Sequence, residues 1–174
     1  MVHSLENESV VLSCEFLFGD EFLVTTSLEG DVSIISMRDN FNIIKHETFV
    51  SHHKTNAVFC CQSVRNAEHT GCFLVGSEDK HITRFFFDYR DYQLDKTGVY
   101  KGHSNSVRNI QVSKDMKHVL SCCEDHSLRL WDYQSLEPLI IFTGHRDNVS
   151  GAAFINSNTC VSSSWDLRVM LWKF

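Results

Sequence analysis

The chain has 174 residues, 43% of them hydrophobic and 22% charged, with a formal net charge of −6. That length suits one domain with a full hydrophobic core and is short for two, and the composition excludes disordered, collagen-like and low-complexity classes. The apolar runs are strand-length, Met1–Glu8 lacks the basic flank and apolar stretch of a secretory signal, and an acidic chain without basic runs is poorly suited to gripping phosphates.

Taken in chain order, the predicted elements are short strands. Phe22–Ile35 contains an apolar run, a turn at Glu29-Gly-Asp and a second apolar run. Ser51-His-His-Lys-Thr-Asn-Ala-Val58 leads into a second unit, whose later part is Phe73-Leu-Val-Gly-Ser-Glu-Asp-Lys-His-Ile-Thr-Arg-Phe-Phe86. Strands are then predicted over 106–112, 119–123, 127–131 and 136–142, and again over 149–155, 160–164 and 168–172. Runs of this length, rich in β-branched residues, bounded by turn chemistry and lacking helical periodicity, give an all-β chain. The continuous run Leu139-Ile-Ile-Phe predicts a sheet covered on both faces, while Pro138 before it suits an edge strand.

Self-comparison organises these strands. Lys101-Gly-His-Ser-Asn-Ser-Val107 matches Thr143-Gly-His-Arg-Asp-Asn-Val149, with His103 and His145 separated by 42 residues. Asp125 and Asp166 are 41 apart, as are Trp131 and Trp172, and Ser121 and Ser162 each precede their Asp by four. Several residue types recurring together at one period define a repeat. Two looser copies lie upstream, one with Asp79 and Phe85 in the Asp and Trp places, the other with Thr25, Glu29 and Ile35 in the Ser, Asp and Trp places.

Gly102-His, then 27 residues, then Trp131-Asp, with a second such unit from Gly144 to Lys173 with 26 between, resembles the WD40 repeat. The resemblance covers the whole chain and is strongest over 101–174. It implies an all-β fold of about four β-propeller blades, approximately 10–50, 51–100, 101–143 and 144–174, within a single domain that forms a partial or open propeller. It further implies that Asp125 accepts from His103, that His103 bonds Ser121, and that Ser121 meets the indole N–H of Trp131. His145, Ser162, Asp166 and Trp172 form the analogous set. Four blades cover about half a ring. Completion by further blades of a longer chain, by a second copy or another propeller chain, or as a small ring of four all remain open.

Other chemistries fit the same residues less well. A Ser-His-Asp catalytic triad is disfavoured because the set recurs with the period of the fold and includes a Trp that acyl transfer does not need. His52, His53, Cys60 and Cys61 are the tightest potential metal grouping, but neighbouring strand residues point to opposite faces and do not converge as zinc ligands do. No metal or cofactor is expected. The odd count of seven cysteines, without a Cys-x-x-Cys, reads as reduced buried thiols of an intracellular protein, cytoplasmic or nuclear. Trp165-Asp-Leu-Arg168 resembles a motif by which some WD40 proteins dock on ubiquitin-ligase adaptors, but it falls in a turn and not at the end of a third strand.

Function is therefore expected to be that of a non-enzymatic interaction scaffold recruiting proteins or peptides through one propeller face. The alternatives are a propeller hydrolase or oxidoreductase and a nucleic-acid-binding propeller. No membrane partner is expected. The loops that open each copy and the Asp-bearing turns place Ser104, Asn105, Arg146, Asp147, Lys80 and His126 on that face, with Trp165 as its aromatic anchor.

Overall fold

The computed structural model describes residues 9–17, 21–38, 43–48, 50–51, 54–55, 57–64 and 70–174. The described residues form strands β1 (Val11–Leu17), β2 (Phe22–Ser27), β3 (Asp31–Ser36), β4 (Ile43–Thr48), β5 (Val50–Ser51), β6 (Lys54–Thr55), β7 (Val58–Val64), β8 (Thr70–Ser77) and β9 (Ile82–Asp88). The remainder are β10 (Gln93–Tyr100), β11 (Val107–Val112), β12 (His118–Cys123), β13 (Ser127–Asp132), β14 (Pro138–Thr143), β15 (Val149–Asn156), β16 (Thr159–Ser164) and β17 (Val169–Lys173). Each larger sheet is an antiparallel meander in chain order. Blade 1 is β1–β4, blade 2 is β7–β10, blade 3 is β11–β14, and blade 4 has only β15, β16 and β17. β5 and β6 form a separate two-stranded pair.

The meanders arise from local chemistry that repeats. Between the second and third strands, Lys80, His126 and Leu167 adopt left-handed backbone at φ 72, 65 and 66°, and Gly30 holds the same place in blade 1 at φ 95°. A tight turn needs that conformation, and glycine alone adopts it without strain. Each first strand opens on a valine followed by a shift in register: Val11/Ser13, Val58/Cys60, Val107/Asn109 and Val149/Gly151. A bulge at that point re-aims the one residue it leaves unpaired.

Alternation then divides the inner strands of blades 2 and 3 between two neighbours. Leu17, Phe22, Val24, Val32 and Ile34 of blade 1 bury against Cys61, Phe73, Val75, Phe85 and Phe87 of blade 2. Cys60, Leu74 and Ile82 on the other side of blade 2 meet Val107, Ile110, Val119 and Trp131 of blade 3. Leu120, Cys122, Leu128 and Leu130 of blade 3 meet Val149 and Cys160 of blade 4, with Ala152, Phe154 and Trp172 alongside. The vicinal thiols Cys60 and Cys61 thus serve opposite interfaces. Polar contacts repeat as well: Ser13 Oγ accepts from the Cys61 N–H at 3.3 Å, and Asn109 Oδ1 accepts from Ala152 N–H at 3.4 Å.

One expectation is corrected. β14 is the outermost strand of its sheet, and Leu139 and Ile141 stand half exposed while Phe142 is buried. The strand is covered on one face only, because neighbouring blades diverge with distance from their shared centre. Pro138 pairs with Trp131 across a register shift, which spares it a donor role at that edge. His52 and His53 lie outside the described residues.

Candidate interaction site

The buried polar residues of blades 3 and 4 form two matching relays. His103 Nδ1 lies 2.8 Å from Asp125 Oδ2, His103 Nε2 lies 2.7 Å from Ser121 Oγ, and Trp131 Nε1 donates to Ser121 Oγ at 2.8 Å. In blade 4 the corresponding distances are 2.8 Å for His145–Asp166, 2.7 Å for His145–Ser162 and 2.8 Å for Trp172–Ser162. Burial lowers the His103 pKa from 6.5 against the pull of Asp125, so the ring is neutral near pH 7. With Ser121 Oγ already accepting from the indole, its O–H donates to Nε2, and Nδ1–H donates to the carboxylate.

The aspartates are anchors as well as acceptors. Burial acts to raise the Asp125 carboxyl, but hydrogen bonds from His103 and Ser127 outweigh it and hold the group well below the usual carboxylate range. Burial also opposes ionisation of Asp166, yet bonds from the Arg146 N–H and His145 bring it down to about 2. Ser104 N–H and Arg146 N–H each donate 3.0 Å bonds to these carboxylates, tying the opening loop of each blade to its turn. The glycine before each histidine sits in tight space. A Cβ on Gly102 would stand 2.5 Å from Arg129 Nη1 and 3.2 Å from Trp131, and one on Gly144 would stand 3.0 Å from Trp172.

His103, Cys123 and Asp125 place three potential metal-ligand atoms within 4.8 Å of one another. Their chemistry is already committed. Cys123 Sγ donates to Asn105 O and accepts from Asp125 N–H, and burial pushes the thiol up to about 12, far from the thiolate a metal would need. In blade 4 the same two bonds are made by a hydroxyl, Ser164 Oγ to Asp147 O and from Asp166 N–H, each at 3.1 Å. A serine doing the same work identifies Cys123 as a turn fastener.

Beside these turns a cleft of about 380 Å³ opens, lined by Leu12, Phe59, Arg108, Glu124, Asn148, Val149, Ser150 and Trp165. Four of these are the bulged residues, one from each inner strand: Leu12, Phe59, Arg108 and Ser150. Glu124 and Trp165 immediately precede Asp125 and Asp166 in the turns. Arg108 stacks over the Phe59 ring at 3.7 Å and is held by Glu124, with Nε at 2.7 Å from Oε1. Trp165 is 64% exposed, whereas Trp131 is fully buried. The cleft offers an aromatic wall, aliphatic surface and a positioned guanidinium, and it assembles no nucleophile–base pair.

Trp165 is the sequence-predicted surface residue that lines this cleft. Lys80 and His126 occupy their left-handed turn positions, exposed or nearly so. Ser104, Asn105, Arg146 and Asp147 sit in the opening loops. Asn105 Oδ1 accepts from Ser106 N–H, and Asp147 Oδ1 accepts from Asn148 N–H. Arg108, Phe59, Leu12 and Glu124 carry no motif in the sequence that marks them as surface contacts. The signal for Leu12, Phe59 and Arg108 is their place directly after the recurring valine, and that for Glu124 is its place directly before the turn aspartate.

The WD40 family, described as "WD domain, G-beta repeat", matches residues 94–132 and 136–173. Among curated proteins, the chain is 25% identical over 126 residues to the ribosome biogenesis protein WDR12 homolog of Aedes aegypti, covering 60% of this chain and 30% of that protein. It is 24% identical over 144 residues to the Drosophila sechellia homolog, covering 74% of this chain and 34% of the relative. It is 28% identical over 83 residues to the general transcriptional corepressor TUP1 of Saccharomyces cerevisiae, covering 44% and 12%. The chain thus spans about a third of the length of the WDR12 homologs it matches. Among solved structures, the computationally designed Ika4 protein aligns over 100% of this chain and 99% of its own, with TM-score 0.76 and 19% identity. The structure of U3-55K aligns over 98% of this chain and 50% of its own, with TM-score 0.78 and 14% identity.

Proposed function

We propose that this chain, a WD40-repeat protein, is a non-enzymatic interaction scaffold that captures a segment of a partner protein in the cleft between its inner strands. The observation that carries this reading is the convergence of four bulged residues, one per blade, beside an exposed Trp165. The bulge frees that side chain from the blade interface, so its identity can vary without cost to the fold. Leu12, Phe59, Arg108 and Ser150 indeed share no chemistry, while the valines before them are identical.

An extended segment with an aromatic or aliphatic side chain fits the wall of Trp165, Phe59 and Leu12. Arg108 is part-exposed, and its contacts with Phe59 and Glu124 fix its geometry in advance, which limits the entropy lost on binding. The buried relays hold the turns that carry Glu124 and Trp165, so the scaffold positions the site and takes no chemical part. Relatives named for ribosome biogenesis and for transcriptional corepression carry the same repeat in two different settings. The repeat supplies the architecture, and the variable surface residues choose the partner. Six buried, unbridged thiols among seven free cysteines support an intracellular compartment.

The test is selection of peptides from a displayed library on the 174-residue chain, followed by titration of the selected peptides against Trp165→Ala and Arg108→Ala. Loss of binding with unchanged melting temperature is expected. Peptides that bind both variants as tightly as the parent would place the partner surface elsewhere.

A further inference from the structure

Arg108 and Glu124 meet in the cleft as a pair that is only partly engaged. Phe59 covers one face of the guanidinium at 3.7 Å, and Glu124 Oε1 accepts from both Nε and Nη2, the first at 2.7 Å. That contact takes up one edge of the guanidinium. Arginine carries five N–H donors, and its second edge is formed by Nη1 and the remaining Nη2 hydrogen. Among the described residues, neither Nη1 of Arg108 nor Oε2 of Glu124 has a hydrogen-bond partner. Both side chains line the cleft, and 35% of Arg108 and 17% of Glu124 stays exposed. Phe59, Arg108 and Glu124 belong to blades 2 and 3, each of which packs against a neighbour on both sides.

The pair is electrically neutral as it stands. A carboxylate brought to the free guanidinium edge would lie beside Glu124, and an ammonium brought to Oε2 would lie beside Arg108. Each would meet a like charge, which acts against it as surely as a clash does. A neutral group that accepts from Arg108 and donates to Glu124 satisfies both and leaves no charge unpaired. A main-chain amide cannot do this alone, because a trans peptide directs its C=O and N–H to opposite sides. A primary carboxamide carries an acceptor and two donors at one end. The apolar surface of Phe59, Leu12 and Trp165 around the pair sharpens the preference, since an unpaired charge costs more where water is displaced.

We propose, resting on the capture reading above, that the captured segment sets a glutamine or asparagine side chain against Arg108 and Glu124. Its carbonyl oxygen accepts from Arg108 Nη1, and its amide N–H donates to Glu124 Oε2. Trp165, Phe59 and Leu12 supply apolar contact for the rest of the segment. The neutral ion pair supplies discrimination between side chains of one size, since glutamine and glutamate differ chiefly in charge.

The test uses peptides selected from a displayed library on the 174-residue chain. The peptide position that faces the pair is the one whose alanine substitution ceases to matter in Arg108→Ala. Glutamine, asparagine, glutamate, lysine and leucine are placed there in turn and titrated by fluorescence polarisation. The better carboxamide should bind about tenfold or more tightly than glutamate or lysine, the effect of one hydrogen bond to a charged group left unmade. Glu124→Gln removes the neutralising carboxylate and should reverse the order of glutamine and glutamate, while Arg108→Gln should favour lysine. A parent chain that prefers glutamate, lysine or leucine there overturns the proposal and leaves capture at Trp165 standing, as does the lack of any position coupled to Arg108. The parent titrations decide the matter even where a variant fails to fold. A base edge offers the same donor and acceptor pattern, although a net charge of −6 sets the chain against a phosphate backbone. Displacement of the peptide by a single-stranded RNA would therefore also overturn the assignment, and failure to select any peptide removes both readings.

Discussion

The indole of Trp131 and the hydroxyl of Ser121, ten residues apart in sequence, meet at 2.8 Å in the interior between blades 2 and 3. Ser121 also bonds His103, so removing its oxygen leaves two buried partners unsatisfied. Ser121→Ala should therefore destabilise the chain by about 2–6 kcal/mol, at about 1–3 kcal/mol for each stranded group. Ser162→Ala removes the same two bonds in blade 4, where Trp172 is only half-buried and water can replace the lost partner. Its cost should be about half as large. Urea denaturation of both variants measures the difference, and equal losses would mean that the end blade is as dry as the interior.

Stability should be greatest on a plateau between pH 6.5 and 9. His103 is held neutral with a lowered pKa, so below 6.5 the unfolded chain binds a proton that the folded chain refuses, and stability falls as pH drops. Asp125 acts in the same direction at lower pH, since its depressed carboxyl must be protonated before the relay opens. On the alkaline side burial pushes Cys60, Cys61 and Cys123 up from 9.0 to about 12. Above pH 9 these thiols ionise in the unfolded chain first, and stability falls again. Urea midpoints collected from pH 4 to 10 trace the curve, and a midpoint that rises on going below 6.5 contradicts the His103 assignment.

The residues legible in the sequence are those that a repeating fold compels to recur. A histidine, serine, aspartate and tryptophan inside apolar strands must find one another when buried, so their spacing survives and marks blades 3 and 4. Blade 1 keeps only substitutes: Thr25 and Ile35 stand in the Ser and Trp places, while Ser27 Oγ donates to Asp31 Oδ2 and accepts from Asp31 N–H, where Ser164 Oγ accepts from the N–H of the turn aspartate Asp166. The cleft was hidden for the opposite reason. A bulged residue belongs to neither interface, so nothing constrains its type, and Leu12, Phe59, Arg108 and Ser150 do not look like a set. Leu139-Ile-Ile-Phe misleads because apolar content alone does not distinguish a strand between two neighbours from an outer strand with one.

Leu167 is an unusual residue for its position. It is almost fully exposed and holds φ 66°, a conformation that costs a branched side chain about 1–2 kcal/mol. Gly30 shows what the turn accepts in blade 1. Leu167→Gly should raise stability by about 0.5–1 kcal/mol, since relief of the backbone exceeds the added freedom of the unfolded chain. Thermal melts of the variant against the parent report the gain. A decrease would mean that the Leu167 side chain makes a contact in solution, and the position would then join Trp165 as part of the partner surface.

Thiol chemistry should separate Cys14 from the other six cysteines. Cys60, Cys61, Cys72, Cys122, Cys123 and Cys160 are buried, and burial raises every one of their pKa values, so each lacks both access and thiolate character. Cys14 is exposed on β1. With dilute native protein, a thiol-specific reagent should therefore modify one group quickly and the rest at the rate of unfolding. Cys14→Ser should abolish the fast phase without changing the slow one. Because the six slow thiols are divided among all three blade interfaces, a second fast group would identify the interface that opens first, and mass mapping of the modified peptide would say which blade it leaves.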